Sequence, residues 1–188
     1  MKVMLLHGWG GSDYPHWQAI TASKIAADYG TVSFPLIQHP HFPHLNRWRR
    51  EVKGYIEDFR PEILICHSLA NTLWMHMCHD GEIDFGLDRL YMVSPPSRYT
   101  EHDMLKSFFP SPIPDSLHAT EIHIVVSDDD PWIEVQEAEE MARKYDARLE
   151  ILENAGHINE ESGYGEWRWL EESLGLKNSI STKGVKCP

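Results

Sequence analysis

Short apolar runs of strand length alternate with segments of helical spacing along most of this chain, and this alternation restricts the possible folds more than any other feature. The strand-like runs are Val3–Leu6, Val32–Phe34, Ile63–Cys66, Arg89–Val93, Ile122–Val126 and Arg148–Leu152. The helix-like segments are Trp17–Tyr29, Asn46–Phe59, Leu69–His79, Glu134–Tyr145 and Tyr164–Leu174. Strands that alternate with helices form parallel βαβ units. We therefore expect an α/β fold, a three-layer sandwich of about six mostly parallel strands with helices on both faces.

The length of 188 residues suits one such sandwich, since a chain of this size buries about 70% of its unfolded surface. We expect a single domain over residues 1–176 and a flexible tail over residues 177–188, where Lys, Ser, Thr and Gly predominate. Proline-rich segments over 35–45 and 94–120 interrupt the alternation, and the second is long enough to lean over a site as a partial lid. We expect no large cap domain, because only residues 94–120 are available to cover the site.

Acidic residues outnumber basic residues by 29 to 17, which gives a formal charge of -12. This charge repels nucleic acids and anionic membranes, so we expect neither as a partner. The three cysteines are too few for a disulfide framework, and no apolar run is long enough for a signal peptide or a membrane span. We therefore expect a cytoplasmic protein.

A serine, an aspartate and a histidine each follow a predicted strand. Ser68 follows the third strand, Asp130 the fifth and His157 the sixth. A serine hydroxyl attacks a carbonyl only when a histidine takes its proton and a carboxylate holds that histidine in the right tautomer. Because the carboxyl ends of parallel strands share one edge of the sheet, these three residues can meet there. Asp128 and Asp129 remain alternatives to Asp130 as the acid.

The chain order Ser, Asp, His is that of the α/β-hydrolases, in which a G-x-S-x-G turn presents the serine. The turn here reads Cys66-His67-Ser68-Leu69-Ala70, so Cys and Ala replace both glycines, and the bulkier Cys weakens the motif. The loop His7-Gly8-Trp9-Gly10-Gly11 follows the first strand. An oxyanion hole needs two donors, which we assign to the backbone N–H groups of Leu69 and Trp9. Substrate-pocket candidates are Trp9, His67 and Trp132.

Beyond these positions, the sequence resembles the small serine hydrolase family of the α/β-hydrolase fold, the YdeN-like and retinoblastoma-binding protein nine-like proteins. The resemblance extends to about Leu174. It rests on the glycine-containing loop after the first strand, His16-Trp17, Leu45, Trp48, His67-Ser68-Leu69, Asp130-Pro131, Gly156-His157-Ile158-Asn159 and Ser162-Gly163-Tyr164-Gly165-Glu166-Trp167. It implies Ser68 as nucleophile, Asp130 as orienting acid and His157 as base.

Simpler interpretations exist for each residue. Ser68 and Asp130 could be only helix caps, and His157 could be only a solvated loop residue. The histidines suggest a metal site at His39, His41 and His44 or at His76 and His79, but no Cys or carboxylate accompanies them at ligand spacing. A nucleotide-binding turn at Gly8, Gly10 and Gly11 fails because Asp13 stands where the third glycine belongs. We expect packing roles for Trp17, Trp48, Trp74, Trp167 and Trp169.

The sequence therefore predicts a serine hydrolase that cleaves small carboxylic esters, or secondarily amides, through an acyl-enzyme and without a cofactor or metal. The alternative is a non-catalytic binding or scaffold protein that retains the fold. The altered turn around Ser68 is the best support for that alternative.

Overall fold

A computed structural model of the chain describes residues 1–28 and 30–176. Six strands form one sheet in the order β2-β1-β3-β4-β5-β6, and every neighbouring pair is parallel. The strands are β1 (Lys2–Leu6), β2 (Thr31–Ser33), β3 (Ile63–His67), β4 (Leu87–Val93), β5 (Ala119–Ser127) and β6 (Arg148–Leu152). All six predicted strands are confirmed, with ends that differ by up to three residues.

Successive residues of one strand enter two different hydrophobic cores. Met4 and Leu6 of β1 belong to the core on one face of the sheet, whereas Val3 and Leu5 belong to the core on the other face. All five residues of β3 are buried. A strand buried on both faces needs apolar side chains at consecutive positions, which explains why the central strands read as continuous apolar runs.

Helices cover both faces. They are α1 (Trp17–Ala27), α2 (Leu45–Phe59), α3 (Leu69–His79), α4 (Val135–Tyr145) and α5 (Arg168–Ser173). Trp48 of α2, Leu73 of α3 and Ala138 of α4 lie in the first core. Trp17 of α1 and Leu170 of α5 lie in the second. The predicted three-layer sandwich is confirmed.

The last helix is shorter than predicted. It begins at Arg168 rather than at Tyr164, because the backbone is still turning at Gly163, which has a φ of 82°. The Tyr164 N–H donates to the Asn159 carbonyl, so this residue closes a turn instead of opening a helix. The predicted end of the first helix at residue 29 and the predicted tail over 177–188 lie outside the described residues.

The segment between β4 and β5 packs against the body of the protein. It contains one short 3₁₀ helix, Asp103–Leu105. Leu105 and Phe108 are buried in the first core, and the Phe108 ring meets Trp48 edge to face with centroids 5.5 Å apart. This packing places the segment beside the carboxyl ends of the strands. In the part of the chain that the structure describes, no helix is long and apolar enough to cross a membrane.

Candidate active site

Ser68 lies at a strained turn between β3 and α3. Its φ of 53° and ψ of -124° are rare for a residue with a side chain. Asn71 stabilises this turn, since its Nδ2 donates to the carbonyls of Ser68 at 3.0 Å and Val93 at 2.9 Å. Cys66 does not prevent the strained geometry, because its side chain is buried in the first core. The Ser68 side chain makes no capping hydrogen bond, so the interpretation of Ser68 as only a helix cap is wrong.

Ser68, His157 and Asp130 form a continuous chain of hydrogen bonds. His157 Nε2 lies 2.8 Å from Ser68 Oγ. His157 Nδ1 lies 3.0 Å from each carboxylate oxygen of Asp130. The Asp130 side chain is fully buried and the His157 side chain is 12% exposed. Since a carboxylate only accepts, Nδ1 carries the proton and Nε2 is left as the acceptor facing the serine.

The three consecutive aspartates have different contacts. Asp130 alone reaches the His157 ring, and its Oδ1 also accepts from the Trp132 N–H at 3.0 Å. Asp128 accepts from the Asn154 N–H at 2.8 Å. Asp129 Oδ1 accepts from Ser127 Oγ and the Gly156 N–H and is not bonded to the imidazole. The alternatives to Asp130 as the orienting acid therefore do not hold.

Asp129 instead holds the backbone that precedes His157. Its Oδ1 accepts from Ser127 Oγ at 2.6 Å and from the Gly156 N–H at 2.7 Å. These two bonds, the Ser127 bond first, lower the pKa of the Asp129 carboxyl below its ordinary value. The carboxylate thus stays charged and keeps the loop after β6 against the end of β5.

The backbone of His157 is held from both sides. Its N–H donates to Ser162 Oγ at 3.1 Å, and its carbonyl lies 3.1 Å from His67 Nε2. Ser162 in turn donates to Asn159 Oδ1 at 2.9 Å. Gly156 is required here, because a Cβ atom at this position would lie 2.4 Å from Ser162 Oγ and its φ is 54°.

The loop after β1 passes directly against Ser68. A Cβ atom on Gly8 would lie 2.7 Å from Ser68 Cβ and 3.2 Å from Ser68 Oγ, so any other residue would push the loop and the turn apart. Leu69 is the first residue of α3, and its N–H therefore has no acceptor within the helix. The backbone at both predicted donors thus lies close to the serine.

His7 orients the peptide that carries the other predicted donor. The Ile37 N–H donates to His7 Nε2 at 2.8 Å, so the proton of this neutral ring is on Nδ1, which donates to the Gly8 carbonyl at 2.8 Å. Burial lowers the pKa of His7, which favours this neutral form. In a trans peptide the C=O and the next N–H point in opposite directions. The Trp9 N–H therefore points away from His7.

A cavity of about 460 Å³ opens at Ser68 and contains all three predicted pocket residues, Trp9, His67 and Trp132, in its wall. The indoles of Trp9 and Trp132 flank the ring of His102, with centroids 4.7 Å and 6.3 Å away. Further wall residues are Pro96 and Leu105 from the segment between β4 and β5, and the acidic residues Asp13, Glu160 and Glu161. The cavity wall contains no Lys or Arg among the described residues.

His16 and His67 also line the cavity, but both are buried and their rings lie 5.0 Å apart. Burial, together with the neighbouring His157, lowers the pKa of His16 to about 4. The same causes hold the pKa of His67 well below its ordinary value. Both rings are therefore neutral near pH 7 and add no positive charge to the cavity.

The other predicted clusters have packing contacts. Trp17, Trp48, Trp74 and Trp167 are buried, as expected, and Trp169 stacks on Trp167 with centroids 5.5 Å apart. His76 Nε2 lies 2.8 Å from the Phe108 carbonyl. Within residues 1–28 and 30–176, no three His, Cys, Asp or Glu side chains are grouped so that they could hold a metal ion.

Sequence reasoning missed three supporting residues: Asn71, Ser162 and His7. Asn71 is a polar residue that lies in the first turn of α3 directly after Leu69 and Ala70, and its position three residues after Ser68 was the available signal. Ser162 belongs to a block that carried the family resemblance, but its bond to the His157 backbone depends on loop geometry. The role of His7 depends on Ile37, which lies 30 residues away in the chain.

Solved structures of other proteins share the fold of this chain. The ydeN gene product of Bacillus subtilis superposes with a TM-score of 0.80 at 19% identity, over 93% of this chain and 96% of its own. A protein of Pectobacterium atrosepticum described as YdeN-like gives 0.73 at 22% identity, over 92% and 88%. The esterase domain of a Rhodothermus marinus protein gives 0.64 at 11% identity, over 93% and 84%. These likenesses show the α/β-hydrolase fold.

No curated protein matches the sequence. The model of the serine hydrolase family, in contrast, matches residues 3–175. Because this match spans nearly all of the described residues, the chain belongs to the serine hydrolase family.

Proposed function

We propose that this protein hydrolyses small carboxylic esters with Ser68 as nucleophile, His157 as general base and Asp130 as orienting acid. Membership of the serine hydrolase family supports a hydrolytic function. The single observation that carries the finer proposal is the continuous hydrogen-bonded chain from Ser68 Oγ through His157 to Asp130. A carboxylate, an imidazole and a hydroxyl in this order activate the hydroxyl for attack on a carbonyl.

In the proposed reaction, His157 Nε2 takes the Ser68 proton as Oγ attacks the substrate carbonyl carbon. The negative oxygen of the tetrahedral intermediate is stabilised by the N–H groups of Leu69 and Trp9. The intermediate collapses, and the protonated His157 gives its proton to the leaving alcohol. Water, deprotonated by the same imidazole, then attacks the acyl carbon. The bond from this carbon to Ser68 Oγ breaks, Oγ takes the proton back from His157, and the acid is released.

The shape and charge of the cavity limit the substrate. Its volume of about 460 Å³ is at the small end of the range for ligand pockets, which favours short acyl groups. Three carboxylates and no Lys or Arg among the described wall residues disfavour an anionic substrate. We therefore infer that neutral esters with short acyl chains are the preferred substrates, and amides with small leaving groups the second choice.

The proposal is tested with a fluorophosphonate probe and with p-nitrophenyl esters of graded chain length. Wild type and the matched control Ser23→Ala, at an exposed position of α1, should be labelled and should turn over the short esters. Ser68→Ala and His157→Ala should lose turnover by about 1000-fold or more, and Ser68→Ala should not be labelled.

The alternative is a scaffold protein that keeps the fold without catalysis. It predicts that folded wild-type protein is neither labelled by the probe nor active on any ester of the series. That result would reject the hydrolase proposal. Labelling of wild type that persists in Ser68→Ala would reject the assignment of the nucleophile.

A further inference from the structure

The sheet does not set the distance between Ser68 and His157. Ser68 follows β3 and His157 follows β6, and two strands, β4 and β5, lie between these two in the sheet. Neighbouring strands are about 4.8 Å apart, so β3 and β6 are separated by roughly 14 Å. The loop after β6 must therefore reach back across the end of the sheet, and its contacts there decide where the imidazole lies.

One direct contact links the two ends of this span. His67, the residue before Ser68, has its Nε2 3.1 Å from the carbonyl oxygen of His157. A carbonyl oxygen only accepts, so the proton of the His67 ring is on Nε2, which donates it to the His157 carbonyl. The same turn of chain thus carries the Ser68 hydroxyl and holds the backbone of the residue that faces this hydroxyl.

The His67 ring has little freedom to move. It is only 4% exposed, and its centroid lies 5.0 Å from that of His16, 5.2 Å from that of His157 and 5.6 Å from that of Trp17. Trp17 Nε1 donates to the next carbonyl of the same loop, that of Ile158, at 2.7 Å. Two buried ring N–H groups therefore hold two consecutive carbonyls of the loop after β6.

We propose that His67 is a positioning residue for His157, and that its bond to the His157 carbonyl keeps the His157 imidazole within hydrogen-bonding distance of Ser68. This inference rests on the proposed function of Ser68 and His157. His67 touches no reacting atom in this role; it acts through the backbone of the base. A misplacement of a reacting group by about 1 Å can lower a rate by about 100-fold, so a bond that fixes this spacing has a large effect on turnover.

The test compares His67→Met, which keeps much of the volume but has no donor, with His67→Gln, whose amide N–H can still donate. For p-nitrophenyl acetate we expect His67→Met to lower kcat by about 10-fold to 100-fold with KM within about threefold of wild type. His67→Gln should stay within about fivefold of the wild-type kcat, because the glutamine amide can donate in place of Nε2. If His67 only supported the packing, the kcat of His67→Gln would not exceed that of His67→Met at an unchanged KM.

Tyr91→Phe is the matched control for lost stability. It removes a part-buried hydrogen bond of 2.7 Å to Ser173 Oγ. Tyr91 lies within β4 and is not among the residues that line the cavity at Ser68. This variant should lose thermal stability and keep the wild-type kcat. Thermal unfolding of each variant shows which proteins are folded at the assay temperature.

Either of two results would overturn the inference. One is a folded His67→Met protein with kcat within twofold of wild type. The other is a pair of folded His67 variants with equally low kcat. If His67→Met does not fold, the test depends on the kcat of His67→Gln. A fall of more than about 10-fold in this folded variant would contradict the proposed role of the His67 N–H donor. Wild type without esterase activity would instead reject the proposed function.

Discussion

Gly8→Ala tests the close approach of the loop after β1 to Ser68. The added methyl carbon would lie 2.7 Å from Ser68 Cβ and 3.1 Å from the His67 carbonyl oxygen. Carbon atoms pack at about 3.5–4.0 Å, so the loop and the turn must separate by about 1 Å. Neither neighbour is the end of a flexible side chain, and the strain therefore falls on the backbone.

This separation has two expected consequences. Forcing an extra methyl group into a packed site lowers the free energy of unfolding by about 1–3 kcal/mol. A shift of about 1 Å also moves the Trp9 N–H from the position proposed for it in the oxyanion hole. Losing one such donor costs about 100-fold to 1000-fold in kcat. We expect Gly8→Ala to fold and to lose kcat on p-nitrophenyl acetate by about 100-fold.

The matched control is Gly54→Ala in α2, where a Cβ atom would meet nothing within 4 Å. This change should raise the free energy of unfolding by about 0.5–1 kcal/mol, because alanine favours a helix over glycine, and should leave kcat unchanged. Urea unfolding gives the stabilities and steady-state kinetics the rates. A Gly8→Ala variant with kcat within twofold of wild type would refute the argument from close approach.

Three further predictions follow from the site. Asp130→Asn should lower kcat by about 1000-fold or more while the fold survives, because the amide no longer selects the His157 tautomer with its proton on Nδ1; an unchanged pH–rate profile with full activity would contradict this. His16 has a pKa of about 4 in the folded protein against 6.5 as the ordinary value, so the unfolded state binds the proton more readily and stability is lost as pH falls below 6.5. His16 caps α1, since its Nδ1 accepts from the Gln18 N–H at 3.1 Å, and asparagine can cap a helix without titrating. Between pH 7 and 5 the free energy of unfolding in urea should therefore fall by about 2 kcal/mol more for wild type than for His16→Asn, and equal losses would refute the argument. Esters with an anionic acyl group should have a lower kcat/KM than neutral esters of equal length. The double variant Glu160→Gln with Glu161→Gln should reduce this difference in kcat/KM by about threefold at low salt, and an unchanged difference would contradict the charge argument.

Much of the fold was accessible from periodicity. The apolar runs that became β1, β3, β4 and β5 are buried on both faces, and such strands carry their signal in consecutive residues. The beginning of α5 was not accessible, because the residues from Tyr164 have helical spacing and only the turn at Gly163 prevents a helix there.

The candidate site divides in the same way. Ser68, Asp130 and His157 stand out because each follows a strand, and the chain order of the three restricts the chemistry further. The residues alone left Asp128 and Asp129 open beside Asp130, because three adjacent carboxylates have the same chemistry, and only the family resemblance favoured Asp130. The structure separates them by their partners.

The sequence by itself determined the layers of the protein, the edge of the sheet that carries the polar residues and the residue types that meet there, because periodicity and chain order are local properties. Only the tertiary structure decided the distances, since the loop after β6 crosses the ends of two intervening strands before His157 reaches Ser68. Contacts such as those of His67 and Gly8 join segments that are far apart in the chain. No local pattern encodes a spacing of this kind, which depends on how the whole sheet and its loops pack.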